Sequence, residues 1–235
     1  MEKLEELYKI INESQRIVFF GGAGVSTASN IPDFRGANGL YNYAPEEIIS
    51  HSFFMSNPKA FFEFYFSKMV YKDALPNECH YFLAELEKRG KLSAVITQNI
   101  DGLHQKAGSK RVLELHGSVL RNHCMKCHQF YSLDDINCQG IPKCNCGGMI
   151  KSDVVLYEEP LDNKVIRETI LEISSADTLI VAGTSLVVYP AADFINFFQG
   201  KNLVIINLGI TNYDKKADLV INGRVEEYLN RKYLK

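Results

Sequence analysis

The sequence predicts an α/β fold in which a doubly wound parallel sheet carries helices on both faces. Short apolar runs that are typical of buried strands alternate with segments whose apolar residues have helical spacing. A glycine-rich turn, Gly21–Gly24, directly follows the first apolar run. Such a turn is typical of the point where a strand leads tightly into a helix. A cysteine-rich stretch over about 121–150 lacks apolar periodicity and predicts a second, smaller module.

The helices and strands can be assigned in order along the chain. A first amphipathic helix is predicted over 2–14, where Leu4, Leu7 and Ile11 keep helical spacing. The region 45–89 has mainly helical patterns and is rich in phenylalanine, and we expect most of these rings to pack in the core. Strands are predicted at 16–20, 94–97, 112–115, 178–181, 203–206 and 218–221, with strand-like apolar patterning also at 154–156. Further helices are predicted at 162–175, 190–199 and 223–231.

Length and composition favour one sizeable globular domain with a small appendage. The chain has 235 residues and a formal net charge of −2, which does not favour nucleic acid as a direct partner. No run of about 18 apolar residues occurs, so no membrane span is predicted. The first residues, Met1–Glu6, are charged and lack an apolar signal core, which predicts a cytoplasmic protein.

The turn after the first predicted strand is suited to a pyrophosphate. Gly22, Ala23 and Gly24 allow the backbone to turn tightly and approach a phosphate, whose charge the following helix N-terminus would favour. Thr27 stands where the dinucleotide fingerprint has its third glycine. On the glycines alone, a tight turn without any ligand therefore stays open as an alternative.

Three further side chains that suit a dinucleotide follow this turn. Asp33, Phe34 and Arg35 come directly after Pro32. A guanidinium at this place can hold the same anion through two hydrogen bonds, and the phenylalanine ring can cover a flat heterocycle. The run strengthens the prediction of a dinucleotide site.

The cysteine-rich module has the spacing of a zinc site. Cys124 and Cys127 form a C-x-x-C pair, and sixteen residues separate Cys127 from the C-x-C pair of Cys144 and Cys146. Four thiolates predict a structural, tetrahedral zinc site with no position left for a catalytic water. Metal would stabilise a segment that has few aliphatic residues. The alternatives left open are Cys138 in place of Cys144 or Cys146, His123 or His128 as weaker ligands, and a reactive dithiol of Cys124 and Cys127.

Polar side chains follow three of the predicted strands, at the edge where open parallel sheets bind ligands. Gln98, Asn99 and Asp101 come after the strand at 94–97, and their side chains suit either a carboxamide and a ribose or helix capping. His116 follows the next strand and is either a general base or a structural histidine. Gly183–Ser185 follows a later strand and forms a second cradle of backbone and hydroxyl groups.

Five segments, taken together and in this order, resemble the sirtuins, the Sir2 family of NAD-dependent protein lysine deacylases. These segments are Gly22–Ser26 with Ile31–Arg35, Thr97–Asp101, His116–Gly117, the cysteines from Cys124 to Cys146, and Gly183–Leu186. They span nearly the whole chain. The resemblance implies a Rossmann-like sheet with a zinc-binding module and a helical insertion. Within one catalytic domain of residues 1–235, we predict a large lobe of 1–44, 90–118 and 152–235, an insertion of about 45–89 and a zinc module of about 119–151.

The resemblance also implies the roles of the site residues. It makes His116 the general base and Asn99 a second catalytic residue, with Gln98 and Asn99 toward the ribose. It places Ile100 and Asp101 against the nicotinamide amide. The residues that it predicts to bind NAD are Gly22, Ala23, Gly24, Thr27, Asp33, Phe34, Arg35, Gln98, Asn99, Ile100, Asp101, His116, Gly183, Thr184, Ser185, Asn207 and Val225, of which Asn207 and Val225 face the adenosine.

The implied reaction consumes NAD. The acyl-lysine carbonyl oxygen attacks C1′ of the nicotinamide ribose, nicotinamide leaves, and His116 removes a proton from the ribose hydroxyls. Deacylated lysine and O-acyl-ADP-ribose result. Zinc stays out of the chemistry and holds the small lobe.

The implied partner is an acyl-lysine peptide that adds as a strand along Val154–Glu159, with Val155, Tyr157 and Glu158 as its contacts. This segment departs from the family pattern, since Tyr157 stands where Phe is usual and Glu158 where Gly is usual. Lys151 with Ser152 and Asp153 likewise replaces Arg-Pro-Asp. The backbone roles survive these changes, and the extra carboxylate could favour peptides with basic neighbours.

The choice of acyl group and the competing functions stay open to test. Relatives that prefer succinyl groups carry a Tyr and an Arg three residues apart, where this chain has Tyr65 and Lys68. Lysine is a poorer bidentate carboxylate ligand than arginine, so we predict acetyl, or longer fatty acyl, over acidic acyl groups. The main alternative is an NAD-dependent ADP-ribosyltransferase or NAD hydrolase on the same fold. A non-enzymatic acyl-lysine reader and an ordinary oxidoreductase fit the motifs less well.

Overall fold

The computed structural model describes residues 2–33 and 45–234. Within them, six parallel strands form one sheet in the order β3-β2-β1-β7-β8-β9, and three antiparallel strands form a small sheet in the order β5-β4-β6. The predicted doubly wound sheet and separate small module are therefore confirmed. The strands are β1 Ile17–Gly21, β2 Leu92–Thr97, β3 Val112–Glu114, β4 Arg121–Cys124, β5 Phe130–Ser132, β6 Ile150–Ser152, β7 Thr178–Ala182, β8 Asn202–Asn207 and β9 Leu219–Asn222.

Eight α-helices are present among the described residues. They are α1 Glu2–Glu13, α2 Pro45–Ile48, α3 His51–Ser56, α4 Pro58–Lys68, α5 Glu78–Lys88, α6 Leu103–Lys106, α7 Asn163–Ser175 and α8 Val225–Tyr228. The start of α7 is set by Asp162, whose carboxylate accepts the N–H groups of Lys164 and Val165. None of the helices in the described part of the chain is long and apolar enough to cross a membrane.

The large sheet is buried on both faces because alternate side chains of each strand point to opposite sides. Phe19 of β1 lies in an apolar cluster with residues of α1, α5 and α8, such as Leu7 and Phe82. The next residue, Phe20, lies in a second cluster with residues of α7, such as Ile173. The nearly continuous apolar strands in the sequence follow from this double burial.

The helical insertion and the cysteine module share a third apolar cluster. Phe54, Phe61 and Phe62 of α3 and α4 are buried in it beside Ile150 of β6 and Leu156. The ring centroids of Phe54 and Phe61 lie 4.9 Å apart in an edge-on contact. Phe54, Phe61 and Phe62 are thus core residues that join the insertion to the module, and Phe53, Phe64 and Phe66 are partly buried against the same cluster.

Three of the predicted elements have a different form. Residues 154–156 form no strand. The Val155 N–H donates to the His116 carbonyl in a loop, and the Leu156 N–H donates to the Glu159 carboxylate, so neither group is part of a sheet. The helix predicted at 190–199 is a 3₁₀-helix over Ala191–Phe197, in which bonds such as Phe198 N–H to Ile195 carbonyl close tighter turns.

The closing helix predicted at 223–231 is also shorter than expected. The α8 helix ends at Tyr228, and a separate 3₁₀ turn covers Arg231–Tyr233. Asn230 separates the two because its side chain accepts the Lys232 N–H and starts a new turn.

Candidate active site

A cavity of about 710 Å³ opens at the carboxyl ends of the parallel strands. It lies where loops after β1, β2, β7 and β8 meet, which is the usual ligand crevice of an open α/β sheet. Of the predicted cofactor and peptide residues that the structure describes, all but Gly22 line it. They are Ala23, Gly24, Thr27, Asp33, Gln98, Asn99, Ile100, Asp101, His116, Val155, Tyr157, Glu158, Gly183, Thr184, Ser185, Asn207 and Val225. Phe34 and Arg35 lie outside the described residues.

The turn after β1 packs directly on the turn after β7. The Gly24 N–H donates to the Gly183 carbonyl at 2.8 Å, and a Cβ atom on Gly24 would lie 2.8 Å from the Cα of Gly183. Any residue larger than glycine would therefore separate the two loops. The Thr27 hydroxyl donates to the Gly24 carbonyl at 3.0 Å, so Thr27 braces this turn in the absence of a third glycine.

A hydrogen-bonded group of side chains connects the loops after β1 and β2. The Ser26 hydroxyl donates to one carboxylate oxygen of Asp101 at 2.7 Å and accepts from the Asn99 amide at 3.0 Å. The other Asp101 oxygen accepts the Leu103 N–H, so Asp101 also fixes the turn that leads into α6, whose N-cap is Gly102. Burial raises the pKa of Asp101 above its usual value.

Gln98 offers a free donor at the cavity. Its side-chain oxygen accepts the Thr184 hydroxyl at 2.9 Å. Its side-chain nitrogen is buried and has no hydrogen-bond partner among the described residues. A buried amide donor left in this state is costly unless a ligand pairs with it, so Gln98 is suited to bind a ligand oxygen.

His116 is held in one orientation by the backbone. Its Nδ1 lies 3.0 Å from the Gln98 carbonyl oxygen. Because a carbonyl can only accept, Nδ1 carries the proton and Nε2 is left unprotonated. Burial lowers the pKa of His116, although the Gln98 carbonyl acts in the opposite direction. A neutral imidazole with one free ring nitrogen at a cavity wall is an arrangement suited to general-base chemistry.

Gly117 brings the predicted peptide segment next to His116. It has a φ of +72°, and a Cβ atom there would lie only 2.0 Å from the Asp153 carbonyl oxygen. The close approach allows the Val155 N–H to donate to the His116 carbonyl at 3.0 Å. The segment is fixed on its other side, where Tyr157 exchanges backbone hydrogen bonds with Ile49 and His51.

The two residues predicted at the adenosine end are both well buried. The Asn207 amide is bonded at both ends to Thr184, accepting its N–H at 3.0 Å and donating to its carbonyl at 2.7 Å. Asn207 therefore shapes the loop after β7 as well as lining the cavity. Val225, at the start of α8, is 3% exposed and closes one wall.

Sequence reasoning omitted several residues that also line the cavity. Ser26 orients both Asn99 and Asp101, and its place inside the Gly22–Ser26 motif was the signal that could have identified it. Tyr71 lines the wall near α4. Lys68, which the comparison of acyl-group residues named, lines the same wall. Tyr65, by contrast, is 2% exposed and packs in the aromatic cluster, with its ring centroid 5.6 Å from that of Phe61.

The four predicted zinc ligands lie together in the small module. Their Sγ atoms are all within 4.8 Å of one another, with separations such as 3.5 Å for Cys124 and Cys146 and 3.6 Å for Cys127 and Cys144. Tetrahedral zinc with Zn–S bonds of about 2.3 Å places its sulfurs about 3.8 Å apart, so the group fits this ion.

The other candidate ligands lie outside this cluster. Cys138 is not part of it, and the His123 ring is bonded to Asp153 at 2.7 Å. Tyr131 adds an outer contact, because its hydroxyl donates to the Cys144 sulfur at 3.1 Å. This bond, with weaker contributions from nearby groups, lowers the pKa of the Cys144 thiol to about 6, in keeping with a thiolate ligand.

The fold and the cavity define an α/β protein with a dinucleotide-type crevice and a separate thiolate metal module. Residues 22–190 match the model of the Sir2 family. An NAD-dependent protein deacetylase of Clostridium perfringens is 59% identical over 239 residues, which cover 98% of this chain and 98% of that protein.

Solved Sir2 structures have the same fold. One with a p53 peptide and NAD⁺ has a TM-score of 0.85 at 40% identity, over 96% of this chain and 95% of its own. Another, with a deacetylated p53 peptide and 3′-O-acetyl ADP-ribose, has a TM-score of 0.89 at 40% identity and the same coverage. The chain belongs to the Sir2 family.

Proposed function

We propose that this protein is an NAD-dependent protein lysine deacetylase, which transfers the acyl group of an acyl-lysine side chain to ADP-ribose. Its family and its 59% identity to an NAD-dependent protein deacetylase support this activity. The observation that carries the proposal is the free Nε2 of a neutral His116, in a cavity that the glycine turn and the predicted peptide segment also line.

The residues around the cavity fit NAD. The glycines let the loops after β1 and β7 pack tightly on each other, and both loops line the cavity, where their backbone groups could hold a pyrophosphate. The unpaired Gln98 amide is a donor for a ribose hydroxyl. Ile100 and Asp101 lie where a carboxamide could pair with backbone and carboxyl groups. When bound, NAD would supply nicotinamide as a leaving group at C1′ of its ribose, which the acyl-lysine carbonyl oxygen would displace.

The protein contributes a base and an ordered groove. Nε2 of His116 accepts the proton of a ribose hydroxyl, while the Gln98 carbonyl keeps the other ring nitrogen protonated. Asn99 lines the same cavity, and its side-chain amide donates to the Ser26 hydroxyl, which orients it. The walls formed by Val155–Glu158 and Val188–Pro190 leave a groove in which an extended acyl-lysine peptide is held by main-chain hydrogen bonds.

The zinc module has a structural role in this proposal. Cys124, Cys127, Cys144 and Cys146 would hold one zinc ion, and four sulfur ligands leave no open position on it. Reduced thiols suit the cytoplasmic location that the sequence predicts. That location, the absence of nucleic acid as a direct partner, and the limits of the two lobes and the insertion stay predictions.

Product analysis tests the proposal. Purified protein is incubated with NAD and an acetyl-lysine peptide, and the products are identified by mass spectrometry. We expect deacetylated peptide, nicotinamide and O-acetyl-ADP-ribose in equal amounts. The control is the same peptide with unmodified lysine, which should release no nicotinamide. Peptide-independent nicotinamide release, with ADP-ribose attached to protein or free in solution, would instead favour the transferase or hydrolase alternative.

A further inference from the structure

Glu158 has an uncommon backbone conformation in the peptide groove. Its φ is +73°, in the left-handed region that residues with side chains rarely adopt. It lines the cavity directly after Val155–Tyr157. An unfavourable conformation persists only where surrounding contacts determine it, so its contacts indicate why a glutamate is held at this place.

The Glu158 side chain is fixed by the first turn of α3. One carboxylate oxygen accepts both the N–H of Ser52, at 2.9 Å, and the Ser52 hydroxyl. Two bonds to one oxygen fix the position of the carboxylate and leave its other oxygen available. The same two bonds keep the pKa of Glu158 below its usual value.

Glu158 forms no direct ion pair, although His51 lies close enough to interact with its charge. The adjacent Glu159 takes the nearby positive groups, with Lys151 at 3.1 Å and His51 at 2.9 Å. Within residues 2–33 and 45–234, no ion pair involves Glu158. Ser52 donates neutral hydrogen bonds, so the Glu158 carboxylate keeps its negative charge, without a direct ion-pair partner, at a fixed point on the rim of the groove.

We propose that Glu158 selects acyl-lysine substrates that carry an arginine or lysine close to the acylated residue. Because an extended peptide lies along Val155–Glu158 in the proposed function, on which this inference rests, its side chains pass within reach of the free carboxylate oxygen. A basic neighbour would form an ion pair there, and an acidic one would be repelled.

Kinetics with matched peptides test this inference. Each peptide carries one acetyl-lysine and a single Arg, Ala or Glu, placed in turn at the two positions on either side. For the wild type, kcat/KM at the responsive position should be about fivefold higher with Arg than with Glu at low salt. This ratio should shrink as ionic strength rises.

Two variants of Glu158 separate charge from shape. Glu158→Gln keeps the acceptor for Ser52 and removes the charge, so the Arg-to-Glu ratio should fall close to one. Glu158→Gly suits the positive φ, which guards against a folding defect, and should lower the ratio in the same way.

Two further variants keep the charge of Glu158. Ser52→Ala should retain a preference for Arg. The matched control is Glu5→Gln on α1, an exposed carboxylate away from the cavity, which should keep the wild-type ratio.

The outcomes distinguish this inference from the proposed function. If the wild type deacetylates all the peptides and Glu158→Gln shows the same Arg-to-Glu ratio, Glu158 does not select charge. If the wild type deacetylates none of them with NAD present, the proposed function itself fails.

Discussion

His116 is the side chain on which the proposed chemistry depends most directly. Its ring is fixed by the Gln98 carbonyl, which leaves Nε2 free, and the residue lines the cavity. We expect His116→Ala to lower kcat for deacetylation by about 10² to 10⁴-fold, the usual contribution of a general base. NAD should still bind with similar affinity in calorimetry, because the glycine turn and Gln98 are untouched. Turnover close to that of the wild type would exclude His116 as the base.

The same residue predicts how activity depends on pH. Only the neutral imidazole can accept a proton, and burial lowers the pKa of His116 below its usual value of about 6.5. The neutral form therefore persists to lower pH than in a solvent-exposed histidine. We expect the acidic limb of the kcat/KM profile to have an apparent pKa below 6.5, measured with saturating NAD. An acidic limb with an apparent pKa of 7 or above would contradict this assignment.

The sequence identified which side chains reach the cavity better than it identified their partners. Gln98, Asn99 and His116 follow strands of a parallel sheet, and the carboxyl ends of such strands share one edge. Their hydrogen bonds depend on how separate loops meet, which no local pattern encodes. The motif points to Ser26 itself, but the bonds by which Ser26 joins Asp101 and Asn99, like those of Asn207 to a backbone loop, were for this reason not predictable.

Tyr131 on β5 gives the zinc module a testable outer contact. Its hydroxyl donates to the Cys144 sulfur, and outer hydrogen bonds of this kind often change metal affinity by about tenfold or more. We expect Tyr131→Phe to release zinc about tenfold faster to a chromogenic chelator. When cobalt replaces zinc, the thiolate-to-metal absorption bands of Tyr131→Phe should be shifted relative to those of the wild type. A purely structural effect would leave these bands in place.

A distant tyrosine provides the control for this measurement. Tyr81 on α5 stacks on Arg231, at 4.5 Å from the ring centroid, and Tyr81→Phe should leave zinc release unchanged. Equal release rates for Tyr131→Phe and the wild type would show that the hydroxyl has no influence on the metal.

The packing of α4 predicts the acyl preference. Tyr65 is buried among aromatic rings rather than at the cavity, so it is not placed to bind a carboxylate beside Lys68. The wall next to it includes apolar residues such as Met69 and Leu156. We expect kcat/KM for an acetyl-lysine peptide to exceed that for the succinyl-lysine peptide by at least about tenfold. A clear succinyl preference, measured side by side, would overturn this prediction.

Strands and long helices were easier to predict than short helices. The β1 and β7 strands and α7 lie close to their predicted limits because burial on one or both sides imposes a strong apolar pattern. The region 190–199 has a similar pattern, yet tighter 3₁₀ bonds form there. Over seven residues, apolar periodicity alone does not distinguish an α-helix from a 3₁₀-helix.

Two buried histidines make the stability of the fold depend on pH. His80 of α5 and His104 of α6 pack against each other with ring centroids 4.7 Å apart, and both are almost fully buried. Neither ring nitrogen of His104 has a hydrogen-bond partner among the described residues. Burial lowers the pKa of His104 and brings that of His80 to about 4. Both rings must therefore stay neutral for this part of the core to remain closed.

This arrangement predicts that the protein loses stability in mild acid. Between pH 6.5 and about 4, the unfolded chain binds a proton at His80 that the folded chain does not, so the free energy of unfolding rises with pH. From pH 7 to pH 5, His80 alone should lower it by about 2 kcal/mol. We expect His80→Gln to reduce the loss measured in urea unfolding by this amount, while the zinc thiolates affect both proteins equally. From pH 7 to 9, where the imidazoles are neutral in both states, the two curves should run parallel. Equal losses below pH 7 would show that His80 is charged in the folded protein.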